Sequence, residues 1–420
     1  MIPFSFQKGN KIAGCEDAPP IANFTYSVVC DGLGGAGSTK HTVLMDGFEA
    51  PSVRTSGYLG ARIVSSCVDT YYAQNAASLF TTIDEYNRQE TISVFLNVLK
   101  TKINSQLEEK MQSWGIKPSH SKTLKNFPTT LASAIFVPHA RGVTILAVWA
   151  GDSRVYVMTP QKGLQLLSLD DAKNAESEMN STSEMTNCIS SGNAFHLNYA
   201  FYELNEPGIV FCCSDGCFDY LQSPLHFEWL LLHTMLEYLP DSAGAELGVT
   251  LAESICNNMY KTIGDDTTMA GVIVGMDSSS QMKSLYQNRM IQSDKLAIDM
   301  NSYLKELKRI QNERDAAQKT CRLFEGKILS LIHQEVCFAL QPDNPSSLLR
   351  TKLLSMPCYT EYVKMERAID QDIEKEREAE FQRLQAMTTE IKSICRSMLI
   401  RDYLNWQRKA QFKTDPSKAT

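Results

Sequence analysis

The stretch VVCDGLGGAGS, residues 28–38, decides how the first part of the chain is interpreted. Gly32, Gly34 and Gly37 have the G-x-G-x-x-G spacing of a nucleotide-binding turn. Such a turn binds pyrophosphate through backbone N–H groups and needs no carboxylate before its first glycine, where Asp31 stands here. No strand pattern follows about 20 residues later, where a ribose-binding acid would lie. The sequence therefore favours a tight turn that lets Asp31 and the Gly32 carbonyl face a common point.

The residues around this turn predict an α+β fold with antiparallel strands. Before the turn, Phe24, Tyr26, Val28 and Cys30 alternate with the residues between them, as in a strand with one core face. Two amphipathic helices follow, and the second repeats apolar residues at steps of three and four: Ile92, Phe95, Leu99, Ile103, Leu107 and Met111. Further strand patterns occupy residues 130–137, 143–150, 154–159, 208–216 and 268–276. The order does not alternate strand and helix, so a dinucleotide-binding fold is disfavoured.

The composition is that of an ordinary globular protein, and we expect a cytoplasmic location. The chain has 420 residues, of which 43% are hydrophobic, and these numbers predict two or three domains. The N-terminus lacks a basic and then apolar leader, and no apolar run approaches the roughly 18 residues of a membrane span. The twelve cysteines are scattered without C-x-x-C pairs, which indicates reduced thiols.

Charge divides the chain into two modules. Residues 1–277 carry a net charge of −12, whereas residues 278–420 carry +5. An acidic first module makes nucleic acid a poor candidate for its partner. We predict no nucleic-acid partner and no membrane partner.

Acidic residues recur in short glycine-containing turns beside strands. Asp152 lies in AGDSRVYV, Asp215 in CCSDGCFDYL and Asp265 in IGDDTTMAG. Each turn taken alone is commonplace, because Asp-Gly is a frequent turn dipeptide. Four carboxylates at strand ends, counting Asp31, would repel each other strongly unless a cation lay between them. An all-oxygen ligand set favours Mg²⁺ or Mn²⁺ over zinc.

At these residues the chain resembles the metal-dependent protein phosphatases of the protein phosphatase 2C type. The resemblance covers residues 1–277 and is carried by five motifs in the family's order: CEDA (15–18), DGLGG (31–35), GDSR (151–154), SDGCFD (214–219) and DDTT (265–268). It implies an antiparallel β-sandwich flanked by helices, with two or three Mg²⁺ or Mn²⁺ ions. The activity implied is hydrolysis of phosphoserine or phosphothreonine in proteins by a metal-activated water.

The resemblance also implies roles for individual residues. Asp31 would bridge two metal ions, and the Gly32 carbonyl would bind one of them. Asp215 and Asp265 would complete the other site, and Glu16 would order metal-bound water and contribute to catalysis with Asp31 and Asp215. The remaining predicted ligand, for a third and looser ion, is Asp152. Asp266 stands where the family usually has asparagine and is expected to be a poorer candidate for a ligand, whereas Asp219 is expected to support its turn.

Two departures from the family pattern leave an alternative open. Family members commonly have an arginine four residues before the Glu of the ED motif, where it binds the substrate phosphate; this position is Ile12, with Lys11 beside it. Lys11 would supply a charge without the bidentate fork of arginine. The third letter of the DGLGG motif is Leu33, where many members have histidine. Bacterial-type members often have an apolar residue there, so Leu33 is interpreted as the mark of a bacterial-like subgroup and not as evidence of inactivity. Because position 12 lacks the arginine, the alternative function is a pseudophosphatase scaffold that binds phosphoproteins. Arg154, in the GDSR motif, is predicted to have a structural role.

The C-terminal module, residues 278–420, is predicted to be helical. A seam of mostly apolar residues at alternating steps of four and three begins at Leu296 and reaches Leu331, and prolines separate it from a second helix at about 359–409. We expect a helical hairpin or coiled coil for partner docking or self-association. Packing of the helices on themselves or on the first module is the alternative. We also expect residues 1–277 to fold without this module.

Overall fold

The computed structural model of the chain describes residues 1–9, 15–45, 50–82, 88–119, 121, 123–171, 185–221, 224–259, 264–294, 309 and 375. Within them, most strands belong to two five-stranded sheets in which all neighbours pair antiparallel. In spatial order, the first sheet consists of β1 (Ile2–Lys8), β14 (Thr267–Val274), β13 (Gly208–Cys213), β9 (Arg154–Thr159) and β10 (Gly163–Leu166). The second consists of β12 (Asn198–Leu204), β8 (Gly142–Ala150), β7 (Leu131–His139), β3 (Tyr26–Val29) and β2 (Ile21–Ala22).

Two short ribbons and five helices accompany the sheets in the described residues. The ribbons pair β4 (Lys40–Val43) with β5 (Ser52–Thr55), and β6 (Asn126–Thr129) with β11 (Ile189–Ser191). The helices are α1 (Ser56–Thr82), α2 (Arg88–Ser113), α3 (Pro224–His233), α4 (Ala245–Met259) and α5 (residues 279–294). None of the helices in this part of the chain has the length and apolarity required to cross a bilayer.

Strand alternation builds a sandwich with helices on both outer faces. In β3, Val28 packs with residues of α1 and α2, whereas Val29 packs between the sheets. In the other sheet, Val157 and Val210 face the inter-sheet core, while Tyr156 packs with residues of α3 and α4. Because both faces are buried, these strands are almost continuously apolar. The layer order is therefore helix, sheet, sheet, helix.

The fold agrees with the α+β prediction and adds elements that the sequence did not suggest. All six periodic residues predicted for the second helix are buried. β1, β12, α3 and α4 were not foreseen, whereas α5 lies within the 278–420 module that was predicted to be helical. Phe24 was expected in the core but is 61% exposed, because the side chain of Asn23 bonds the Thr25 N–H in a turn that precedes β3. The cysteines among the described residues are free thiols.

The predicted coiled-coil module lies outside the described residues, apart from Arg309 and Lys375. The segment that precedes it, α5, packs against the first module. Met282 and Tyr286 are fully buried there, and the Tyr286 hydroxyl donates a 2.7 Å hydrogen bond to the Met158 carbonyl. The division after residue 277 stays a prediction for the whole chain. The fragment that retains this packing, however, must extend through α5.

A buried ion pair joins α5 to α3. The Arg289 guanidinium donates to both carboxylate oxygens of Glu228, at 2.5 and 3.0 Å, and both side chains are at most 4% exposed. Glu228 also accepts a 3.2 Å bond from the Leu164 N–H of β10. The pair therefore connects three elements, and neither charge can be solvated if the other is removed.

We predict that Glu228→Gln destabilises the full chain by about 3–5 kcal/mol, because Arg289 is left as a buried charge without its counter-ion. The measurement is urea unfolding followed by circular dichroism. The matched control is Glu203→Gln, which removes one charge from the exposed pair with His139 and should change stability by less than about 1 kcal/mol. Equal effects of the two substitutions would contradict this account of α5.

Candidate metal centre

Asp31 lies directly after β3, where the strand enters the glycine-rich turn. Its carbonyl accepts a 2.9 Å hydrogen bond from the Thr130 N–H, and the Leu33 N–H donates to the Pro128 carbonyl at 3.2 Å. These two bonds flank Gly32, which pairs with Thr129 at a position where its own carbonyl is not used by the ladder. The pairing is thus compatible with the predicted use of this carbonyl as a metal ligand.

The glycines of the turn serve close backbone packing. A Cβ atom on Gly32 would lie 2.7 Å from the carbonyl oxygens of Glu16 and Gly57, and one on Gly37 would lie 2.5 Å from the Gly57 nitrogen. Both distances are shorter than side-chain carbons tolerate. Only glycine therefore allows the turn to pack against the start of α1 and against the 15–18 segment. This packing explains the glycines at positions 32 and 37 of the spacing that resembled a nucleotide-binding turn.

Asp17 is a member of the site that the sequence did not single out. It is 1% exposed, and its carboxylate accepts a 2.7 Å hydrogen bond from the Thr268 hydroxyl of β14. Burial raises the pKa of Asp17 to about 7, and the charges of Asp266 and Asp215 act in the same direction. Hydrogen bonds with Thr268 and Asp31 oppose that rise in pKa. Asp17 therefore lies beside Asp31 and links it to the opposite sheet.

The turns after β8 and β13 bring two more carboxylates to the same place. Asp215 begins the 3₁₀ turn Asp215–Cys217 that follows β13, and Asp152 lies in the turn between β8 and β9. Burial raises the pKa of Asp31, and the charges of Asp17, Asp215 and Asp152 raise it further. Burial likewise raises the pKa values of Asp152 and Asp215. The charge of Asp265, which is exposed, raises the pKa of Asp215 further.

The carboxylates fit a site for divalent cations. Oδ1 of Asp152 and Oδ1 of Asp219 are buried without a hydrogen-bond partner in the described part of the protein. Burial also raises the pKa of Asp219 to about 7, with the charge of Asp215 adding to the effect. Unpartnered buried oxygens and mutual repulsion are both relieved by a cation among them. Oxygen ligands of this kind suit Mg²⁺ or Mn²⁺.

Cys15 adds a thiol to the edge of this cluster. Donor atoms of Cys15, Asp17 and Asp266 lie within 4.8 Å of one another. Burial raises the pKa of the Cys15 thiol well above its ordinary value, and the charge of Asp17 adds to this. A protonated thiol is a poor ligand, so the carboxylates are the better candidates for metal binding.

Glu16 lies at the rim of the carboxylate cluster. Its Oε1 accepts a 2.9 Å bond from the Thr55 hydroxyl, and its backbone N–H donates to Asp266 at 2.7 Å. Asp266 thus supports the 15–18 segment, and the prediction that it is a poorer candidate for a metal ligand stays a prediction. Lys11 and Ile12 lie outside the described residues. The prediction that Lys11 binds substrate phosphate therefore stays a prediction.

Arg154 has the structural role that the sequence suggested. It is 6% exposed and donates to both oxygens of Asp170, at 2.9 and 2.6 Å, and to the Tyr156 hydroxyl at 3.1 Å. Its guanidinium carbon also lies 3.9 Å from the centroid of the Phe218 ring. These contacts occupy the guanidinium on both its edge and its face, so Arg154 is unsuited to binding substrate.

Comparison with solved structures gives chains similar to this one. Serine/threonine phosphatase Stp1 from Staphylococcus aureus is 17% identical, with a TM-score of 0.43 over 66% of this chain and 96% of that chain. The PPM Ser-Thr phosphatase MsPP from Mycobacterium smegmatis, solved with cacodylate, is 14% identical, with a TM-score of 0.43 over 66% and 99%. The catalytic domain of phosphatase PstP, solved with two manganese ions, is 15% identical, with a TM-score of 0.42 over 65% and 97%.

A sequence model identifies the family. No curated protein sequence matches the chain significantly. The model described as protein phosphatase 2C matches residues 27–252, more than half of the chain. This segment contains Asp31, Asp152 and Asp215, the carboxylates that the fold brings together. The chain therefore belongs to the protein phosphatase 2C family.

Proposed function

We propose that the protein is a metal-dependent protein serine/threonine phosphatase with Mg²⁺ or Mn²⁺ as its cofactor. The observation that carries the proposal is the convergence of buried and half-buried carboxylates from four separate segments, with carboxylate oxygens left unpartnered. Family membership supplies the reaction class, hydrolysis of a phosphomonoester. The phosphorylated protein substrate is inferred from the same resemblance.

The residues present would hold the cations in two groups. Asp31, the Gly32 carbonyl and Asp215 would bind the principal ions, with Asp265 at the exposed side. Asp152, helped by the unpartnered oxygen of Asp219, would provide a further site. When bound, the divalent ions supply Lewis acidity, which activates water and offsets charge on the phosphoryl oxygens.

The chain's own residues orient these ligands. Thr268 donates to Asp17, and Asp17 in turn interacts with Asp31, so the Asp31 carboxylate is positioned from the opposite sheet. Glu16 is fixed by the Thr55 hydroxyl and by its backbone bond to Asp266. Preorganised carboxylates need no rearrangement when the cation binds, which favours tight and selective binding.

The pseudophosphatase alternative is less well supported. A scaffold that binds phosphoproteins without hydrolysis has no need of a buried cluster of repelling carboxylates, whose cost in stability is several kcal/mol. The argument for the scaffold is the absence of arginine at position 12. For the C-terminal module, partner docking or self-association stays a proposal that rests on the apolar seam alone.

We predict that Mn²⁺ stabilises the wild-type protein and that Asp215→Asn removes most of this effect. A ligand at one hundred times its Kd stabilises the folded state by about 2.7 kcal/mol. The metal-free variant should be at least as stable as the metal-free wild type, because one repelling charge is gone. Thermal unfolding with and without chelator measures both quantities.

The control for the metal experiment is Glu253→Gln, which removes an exposed carboxylate on α4 outside the cluster. It should retain the full Mn²⁺-dependent rise in Tm. An undiminished rise in Asp215→Asn would show that the ion binds elsewhere and would contradict the proposed centre.

We predict Mn²⁺-dependent hydrolysis of p-nitrophenyl phosphate and of a phosphothreonine peptide. Asp215→Asn should lower kcat by about 10²-fold or more, because a charge that positions the electrostatic catalyst is lost. Chelator should abolish turnover, and excess Mn²⁺ should restore it. If clean protein shows the Mn²⁺-dependent rise in Tm but hydrolyses neither substrate, the phosphatase proposal is contradicted and the scaffold alternative is left standing.

A further inference from the structure

The proposed reaction needs a cation that binds the substrate phosphate, and the position that supplies it in the family is Ile12 here. Arg154 is excluded because its guanidinium is occupied by Asp170 and Tyr156. Two other arginines lie close to the 15–18 segment, Arg54 in β5 and Arg62 in α1. The inference that follows concerns their division of roles and rests on the proposed function.

Both arginines stack on one aromatic ring in the first turn of α1. The guanidinium carbons of Arg54 and Arg62 lie 4.8 and 3.4 Å from the centroid of Tyr58. Tyr58 follows Gly57, the residue against which the Gly32 turn packs. The two cations are therefore neighbours of each other and of the turn that carries Asp31.

Arg62 already uses its donors on the backbone. It donates to the carbonyls of Glu16 and Tyr58, both at 3.2 Å, and to that of Cys15 at 3.3 Å. These bonds hold the segment that carries Glu16 against α1. Because its hydrogen bonds are to neutral carbonyls, the positive charge of Arg62 is not cancelled by an ion pair among the described residues.

Arg54 has donors to spare. Its Nε is buried and has no hydrogen-bond partner, and no carboxylate in the described part of the chain pairs with it. A buried donor left unpaired costs about 1–3 kcal/mol, so the position indicates a missing acceptor. His41, the register partner of Arg54 in β4, also has a buried ring nitrogen without a partner. Arg54 and His41, which face each other across the β4–β5 ribbon, therefore each have a buried nitrogen without a hydrogen-bond partner.

The backbone N–H groups at the start of α1 are not available to bind an anion. The Ser56 N–H donates to the Thr39 carbonyl at 2.7 Å, and the Gly57 N–H donates to the Gly37 carbonyl at 3.1 Å. The Tyr58 N–H donates to the Thr55 hydroxyl at 3.2 Å. Since these amides are taken, an anion at this position must be bound by side chains.

We propose that Arg54, held against Tyr58, binds the phosphate group of the substrate in place of the arginine that position 12 lacks. The ligand is a phosphomonoester dianion, whose oxygens match the planar fork of N–H donors on a guanidinium. Arg62 cannot take this role because its guanidinium donates hydrogen bonds to backbone carbonyls. Its positive charge nevertheless lies beside Arg54 on the Tyr58 ring. This assignment of the phosphate contact to β5 is the alternative to the contact predicted for Lys11.

The test compares Arg54→Gln and Arg54→Lys with Arg141→Gln, an exposed arginine on the β7–β8 hairpin, in the full chain loaded with Mg²⁺. The first readout is the Kd of inorganic phosphate by calorimetry, which needs no turnover. We expect Arg54→Gln to weaken phosphate binding about 10- to 100-fold, the range for a charge-assisted hydrogen bond, and Arg54→Lys to weaken it less. Arg141→Gln should leave it unchanged.

The second readout is the KM for the phosphothreonine peptide, which should rise with the phosphate Kd in the Arg54 variants. A retained Mn²⁺-dependent rise in Tm shows that each variant is folded and that its metal centre is intact. Unchanged phosphate binding in a folded Arg54→Gln protein overturns the proposal, as does a wild-type protein that binds no phosphate. Phosphate binding that depends on Arg54 without turnover would support the inference while contradicting the phosphatase function.

Discussion

Repulsion between buried carboxylates is the constraint on which the site depends. Burial and the surrounding charges raise the pKa values of four carboxyl groups, those of Asp17, Asp31, Asp152 and Asp215. No local preference of the chain would bring these groups together, because each approach is unfavourable without a counter-ion. The strands hold them in place through backbone bonds, and a divalent cation would offset their charge.

The two sheets share the task of positioning these groups. Asp31 follows β3 of one sheet, whereas Asp215 follows β13 of the other. The distance between them is therefore set by the apolar layer between the sheets, to which Val29 and Cys212 contribute. Close packing of that layer makes it stiff, so the spacing of the carboxylates is held by the core of the sandwich. Thr268, at the start of β14, extends the same network to Asp17.

Two features of the structure accompany the carboxylate cluster. The ring of Tyr58 gathers two arginines beside the carboxylates, and α5 adds a helix and a buried ion pair behind the first sheet. Neither feature belongs to the motifs on which the family resemblance was based. The acidic motifs supply the candidate metal ligands, and Arg54 is the proposed contact for the substrate phosphate.

The sequence alone determined the local structure and the chemistry of the site. Periodicity placed α2 and six strands of the sandwich: β3, β7, β8, β9, β13 and β14. Asp31, Asp152, Asp215 and Asp265 were singled out because each stands in a glycine-containing turn beside an apolar strand. Only the tertiary structure decided the roles of Asp17, Arg54 and α5. Asp17 and its partner Thr268 are 251 residues apart in the chain, and the stacking of Arg54 depends on how β5 meets α1. Such contacts depend on long-range packing, which a local pattern of residues does not encode.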